Sequence, residues 1–237
     1  MTERKPLPAK RLRMMHDLLE SAYGAQGWWP AKTRVEVIIG AYLTQNTSWL
    51  AVERSLANLR EHKAMTLRGL RNISVQDLQE LIRPSGFQTR KGPALKAFVS
   101  MLDMDFRGSI AILSAQPTEV VRRRLLALPG VGPETADAIL LYALGHAIPM
   151  ADEYLRRIVT RHGLAGTDRH SSSYDSLVQL TREAFSKDEL DSHRHLFGEF
   201  HALTVAVGKL HCRKVPQCDG CPLVKDLAFC SLKRPLT

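Results

Sequence analysis

The sequence opens with little apolar character: Met1-Thr2-Glu3-Arg4-Lys5-Pro6-Leu7-Pro8 is polar and charged where a secretory signal needs an apolar stretch, so none is expected. No apolar run approaches the ~18 residues that span a bilayer. Low-complexity tracts and internal repeats of useful length are absent, which excludes disordered arrays and solenoids. Alternating apolar and polar strands are missing as well, so helical periodicity is the dominant pattern. Cysteine is scarce, and the four present all lie between positions 212 and 230. A chain expected in the cytoplasm, or with the nucleoid of a prokaryote, has little use for disulfides, so that grouping reads as a metal site.

What is abundant is positive charge. Lys and Arg number 33 against 24 Asp and Glu, a formal charge of +9 with a pI near 9.6. Such a chain is drawn to polyanions, of which nucleic acid is the commonest in cells. Charge alone fits a basic enzyme of another kind equally well. At 237 residues, 44% of them hydrophobic, the chain suffices for one large domain or two small lobes.

Around ten helices with short connections are expected, an all-α fold. Arg11–Ala22 places Leu12, Met15, Leu18 and Leu19 on one face, and Val35–Leu43 is apolar enough to be buried. Thr44-Gln45-Asn46-Thr47 breaks the pattern before Trp49–Arg60. Ser74 with Asp77 opens a helix to Ile82, which Pro84-Ser85-Gly86 stops. Lys91–Leu102, a Thr118-capped helix to Leu128, Pro133–Leu144, Glu153–His162, Tyr174–Phe185 and His195–Leu210 follow.

Leu128-Pro129-Gly130-Val131-Gly132 joins two of these helices. Two glycines around one apolar residue permit a tight turn anchored by Val131, with Gly130 and Gly132 exposing amides at the start of the helix that Pro133 opens. Free amides at a helix start bind phosphate without reading base sequence. An ordinary turn between helices is the bland alternative. The longer run Leu128–Leu140 resembles the hairpin of the endonuclease III branch of helix-hairpin-helix DNA glycosylases. Asp152 in Pro149-Met150-Ala151-Asp152-Glu153-Tyr154 matches that family's aspartate, Gly40–Thr47 its early helix and loop, and the C-terminal cysteines its cluster. The resemblance implies two helical lobes with double-stranded DNA bound between them: 33–147 with the hairpin, and 1–32 plus 148–237 with the aspartate and the cysteines. A monomer without membrane attachment is expected.

Asp152 precedes a helical run and fits an N-cap, the bland reading. By the resemblance it is the catalytic carboxylate, stabilising the oxocarbenium-like sugar or orienting water. Bifunctional members carry a Schiff-base lysine two residues after the second glycine. Glu134 stands there, which points to base removal by water without strand cleavage. Gly27-Trp28-Trp29-Pro30 and Gln45-Asn46-Thr47-Ser48-Trp49 are similar to the 3-methyladenine glycosylase subgroup, and by that resemblance Trp29, Pro30 and Trp49 line the base pocket. An indole face suits a cationic alkylated purine. Gln45 is a candidate to fill the gap left by a flipped base and Phe87 to wedge the opposite strand, against loop polarity and core packing as alternatives.

Cys212-x5-Cys218-x2-Cys221-x8-Cys230 offers four thiolates, accepted by zinc or by a 4Fe–4S cluster. The resemblance favours iron–sulfur, although the family spacing has gaps of six, two and five. Lys214 beside Cys212 is a candidate phosphate contact. The competing functions are a lyase acting on oxidised pyrimidines and a non-catalytic damage-binding protein.

Overall fold

The computed structural model describes residues 6–164, 172–188 and 192–229; Cys230 lies outside them. Among the described residues there is no strand. The helices are α1 (Pro8–Tyr23), α2 (Arg34–Leu43), α3 (Trp49–Glu61), α4 (Leu67–Asn72), α5 (Val75–Leu81), α6 (Gln88–Phe106), α7 (Ile110–Ser114), α8 (Thr118–Leu126), α9 (Pro133–Ala138), α10 (Glu153–Arg161), α11 (Tyr174–Ala184) and α12 (His193–Leu210). None is long and apolar enough to cross a membrane.

Local chemistry explains most of the starts. Thr33, Ser48, Thr66, Ser74, Ser109, Asp152 and Ser173 each accept an N–H from the first turn of the helix that follows. Thr118 departs from expectation. It is the first residue of α8, behind Pro117, and its hydroxyl meets His146 Nδ1 at 2.9 Å instead of capping. The short helices α4 and α7 have too few residues to show a periodicity. The helix expected over Pro133–Leu144 changes pitch at Ile139, continuing as a π-helical segment to Leu144, where Gly145 at φ 83° closes it.

The chain divides into two compact units, residues 29–146 and residues 1–28 with 147–237. In the first, α2 lies against the π-helical segment, α6 and α9, while α8 packs on α9. Ile38, Ile39, Leu43, Leu95, Leu102, Leu125, Ile139 and Leu140 make its core, each nearly inaccessible to solvent. In the second, α1 packs on α11 and α12, and α12 on α10. Leu12, Met15, Leu19, Phe185, Phe200 and Val207 are buried there. Gly208 lets the last pair approach, because a Cβ at that position would run into the Tyr154 side chain.

Candidate active site

The hairpin belongs to the first unit. Gly130 takes φ 74°, a left-handed conformation that residues with a Cβ rarely adopt, and a Cβ at Gly132 would meet open space. Val131 is buried between the two exposed glycines. Among the described residues neither the Gly130 nor the Gly132 N–H has an acceptor. Two side chains brace the turn from behind. Arg122 on α8 donates to both oxygens of the fully buried Asp137 on α9, at 2.7 and 3.1 Å. Gln45 Nε2 donates to Gly130 O at 2.9 Å and Thr135 Oγ1 at 2.8 Å. Both amide protons of Gln45 are thus committed to the hairpin. Glu134 is exposed in the first turn of α9, where an acid suits the helix dipole.

Three aromatic rings gather in the same unit. Trp29 meets Trp49 edge-on with centroids 5.9 Å apart, and Tyr142 lies 5.4 Å from Trp29 at a 57° tilt. Gly40 makes room for this, since a Cβ there would come to 3.4 Å from the Trp29 indole. Trp49 Nε1 donates to Glu53 Oε1 at 2.9 Å, which fixes its ring plane. Pro30 is exposed beside Trp29. Tyr142 was not legible in the sequence: it sits in the apolar run Ile139–Leu144, and only the π-helical pitch decides its direction. Trp28 falls in the other unit, with Lys209 Nζ 5.7 Å from its ring. Phe87 is 54% exposed and has φ 50°, so it is not a core residue.

Asp152 caps α10 in the second unit. Its Oδ1 accepts the Leu155 N–H at 2.8 Å, and its Oδ2 lies 3.5 Å from His201 Nε2 of α12. Both side chains are nearly buried, at 9% and 8% exposure, so the carboxylate is bonded at one oxygen, faces an imidazole with the other and is largely screened from water. His201 carries no sequence signal, because its proximity depends on how α12 packs on α10. Glu199, two residues before His201, accepts the Gln26 and Gly27 N–H groups at 2.6 and 2.9 Å and fixes the chain leading to Trp28.

Cys212, Cys218 and Cys221 carry free thiols. Burial pushes the Cys221 thiol up, and the neighbouring Cys218 and Cys212 add to the rise. Arg161 Nη1 lies 3.0 Å from Cys212 Sγ, and its Nη2 donates to the carbonyl of the exposed Lys214 at 2.9 Å. Among the described residues no three His, Cys, Asp or Glu side chains form a metal-binding group. The segment after Cys221 is moored by a buried ion pair with a histidine beside it. Arg11 of α1 donates to Asp226 Oδ1 and Oδ2 at 2.9 and 2.6 Å, and His162 Nδ1 meets Oδ2 at 2.8 Å. Charges this deep are tolerable only when mutually paired.

The chain is 36% identical, over 92% of its length and 95% of the relative's, to a Methanocaldococcus jannaschii protein named as a DNA repair glycosylase. The Helicobacter pylori 3-methyladenine DNA glycosylase bound to 1,N6-ethenoadenine superposes with a TM-score of 0.73 and 28% identity, covering 86% of this chain and 98% of that one. An endonuclease III–DNA covalent intermediate gives a TM-score of 0.75 at 21% identity, over 95% and 97% of the two chains, a likeness of fold alone. Residues 39–183 match the HhH-GPD superfamily of base excision DNA repair proteins, so with its hairpin, its capped aspartate and its all-helical fold, this chain belongs to that superfamily as a DNA glycosylase.

Proposed function

We propose that the enzyme is a monofunctional glycosylase that hydrolyses the N-glycosidic bond of alkylated, 3-methyladenine-type purines and leaves the strand uncut. The observation that carries this reading is the grouping of Trp29, Trp49 and Tyr142 in the hairpin-bearing unit. Electron-rich rings favour a purine made cationic at N3 or N7, by roughly 0.5–2 kcal/mol per cation–π contact. A cationic base is already a good leaving group, so little acid catalysis is required of the protein. The likeness to the Helicobacter pylori enzyme supports the same substrate class.

In this reading Gly130 and Gly132 bind phosphate through their amides, and Gln45 keeps that turn in shape. Trp29, Pro30 and Trp49 receive the flipped base, and Phe87 wedges the strand opposite it. Asp152 stabilises the sugar cation as the bond breaks and orients the attacking water. Glu134 cannot form a Schiff base, so no covalent enzyme–sugar step is expected.

Cys212, Cys218 and Cys221 would hold a 4Fe–4S cluster together with Cys230. The donor chemistry fits: the set is thiol sulfur alone, with the Arg161 guanidinium 3.0 Å from the Cys212 sulfur. The cluster would supply a rigid anchor for the loop bearing Lys214, a proposed phosphate contact, and no part of the bond cleavage.

The test is release of bases from methylated DNA beside a duplex containing thymine glycol, with borohydride trapping. Released methylpurine, no trapped adduct and nicks only after alkali are expected. Strand cleavage at thymine glycol, without methylpurine release, would refute the assignment and establish a lyase.

A further inference from the structure

Lys91, near the start of α6, is only 4% exposed, yet it bears an amine with a defined set of partners. Its Nζ donates to Leu43 O at 2.8 Å and to Ser85 O at 2.9 Å. Leu43 is the last residue of α2, and its carbonyl is among those a helix end leaves unpaired. Ser85 ends the 3-10 turn Arg83–Ser85, and its own groups are engaged with Ile82 O and Ser55 Oγ. An ammonium has three donors. Beyond the two carbonyls lies the Phe87 ring, its centroid 5.8 Å from Nζ.

Phe87 needs such support. It sits at φ 50° directly after Gly86 at φ 66°, a left-handed conformation uncommon for a bulky side chain. With its ring half in solvent, the residue recovers only part of that strain through burial. Gln45 is two residues beyond Leu43, so one buried nitrogen spans the roots of both loops assigned to DNA. Burial lowers the Lys91 pKa to about 8, which leaves the ammonium form dominant at neutral pH.

We propose that Lys91 is a positioning residue whose ammonium ties the end of α2 to the Ser85–Phe87 turn and keeps the Phe87 ring outward, preformed for entry into the duplex. This rests on the reading that Phe87 enters DNA. Removing the ammonium leaves two buried carbonyls without their donor and frees the turn to relax.

The experiment uses the full chain and a duplex with 2-aminopurine opposite a tetrahydrofuran abasic analogue, whose fluorescence rises when the opposite base is unstacked. Lys91→Met, Phe87→Ala and the double variant are compared, together with single-turnover base release and affinity for undamaged duplex. The two single variants should each lose the fluorescence rise and about tenfold in rate, and the double variant no more than either, because both remove one coupled device. Affinity for undamaged duplex should stay within about twofold, since phosphate contacts dominate it. Losses that multiply to about a hundredfold in the double variant would reduce Lys91 to general scaffolding and overturn the proposal. Full fluorescence in Lys91→Met, with loss in Phe87→Ala, would overturn it while leaving the wedge intact. Full fluorescence in Phe87→Ala would remove the wedge reading itself. Lys91→Gln, which keeps an N–H donor, carries the same cycle if Lys91→Met does not fold.

Discussion

Replacing Asp152 with asparagine separates the two tasks of this side chain. As an N-cap, the residue needs only an oxygen for the Leu155 N–H, which lies 2.8 Å from Oδ1. Asparagine provides that oxygen and caps about as well as aspartate, so stability should change by no more than a few tenths of a kcal/mol. The catalytic task needs negative charge. A carboxylate ~4 Å from a developing sugar cation, at an effective dielectric of ~20, is worth about 4 kcal/mol. Each 1.36 kcal/mol is tenfold in rate, so Asp152→Asn should lose roughly a thousandfold in base release. Asp152→Ala should lose the same rate and, in addition, about 1 kcal/mol of stability as the cap disappears. Single-turnover release from methylated DNA at saturating enzyme reads the first effect, and thermal melting reads the second. An asparagine variant with unchanged melting and a rate within tenfold of the parent would refute the electrostatic role of Asp152.

Other perturbations test neighbouring features. Trp49→Ala removes the edge partner of Trp29 and should slow release of cationic bases by roughly tenfold with little loss of duplex affinity, read by comparing KM with kcat. An equal loss in general DNA binding would count against a base pocket. Cys221→Ser should yield colourless protein, whereas the parent should be brown with broad visible absorption; a colourless parent containing zinc would show a different metal. Gly208→Ala forces a methyl into Tyr154 and should cost about 1–3 kcal/mol by melting, because α12 can no longer sit against α10. Lys91, with a pKa of about 8 when folded against 10.5 ordinarily, binds fewer protons in the folded state between those values. Its contribution to stability should therefore rise as the pH climbs through that window and vanish in Lys91→Met; a falling contribution would reverse the sign of the argument.

Much of the fold was legible because its signals are local. Ser74 and Asp152 cap the helices that follow them, and their side chains need only the next turn of chain to do so. The apolar spacing of Leu12, Met15 and Leu19 likewise marks the buried face of α1 without reference to any partner. The hairpin was legible for the same reason, since Gly130 requires its left-handed φ wherever the rest of the chain lies. Thr118 shows the limit. Its hydroxyl was equally able to cap α8, and a distant His146 claimed it.

By itself the sequence determined the helical composition, the hairpin, the absence of a lysine at Glu134 and the gathering of cysteines, because each depends on residue type and spacing along a single segment. Only the tertiary structure decided that Gln45 spends both amide protons on the hairpin, that Tyr142 joins Trp29, that His201 approaches Asp152, and that Lys91 is buried under Phe87. These are meetings of side chains far apart in sequence. Their partners are chosen by helix packing and by one change of pitch at Ile139, and no local spacing encodes either.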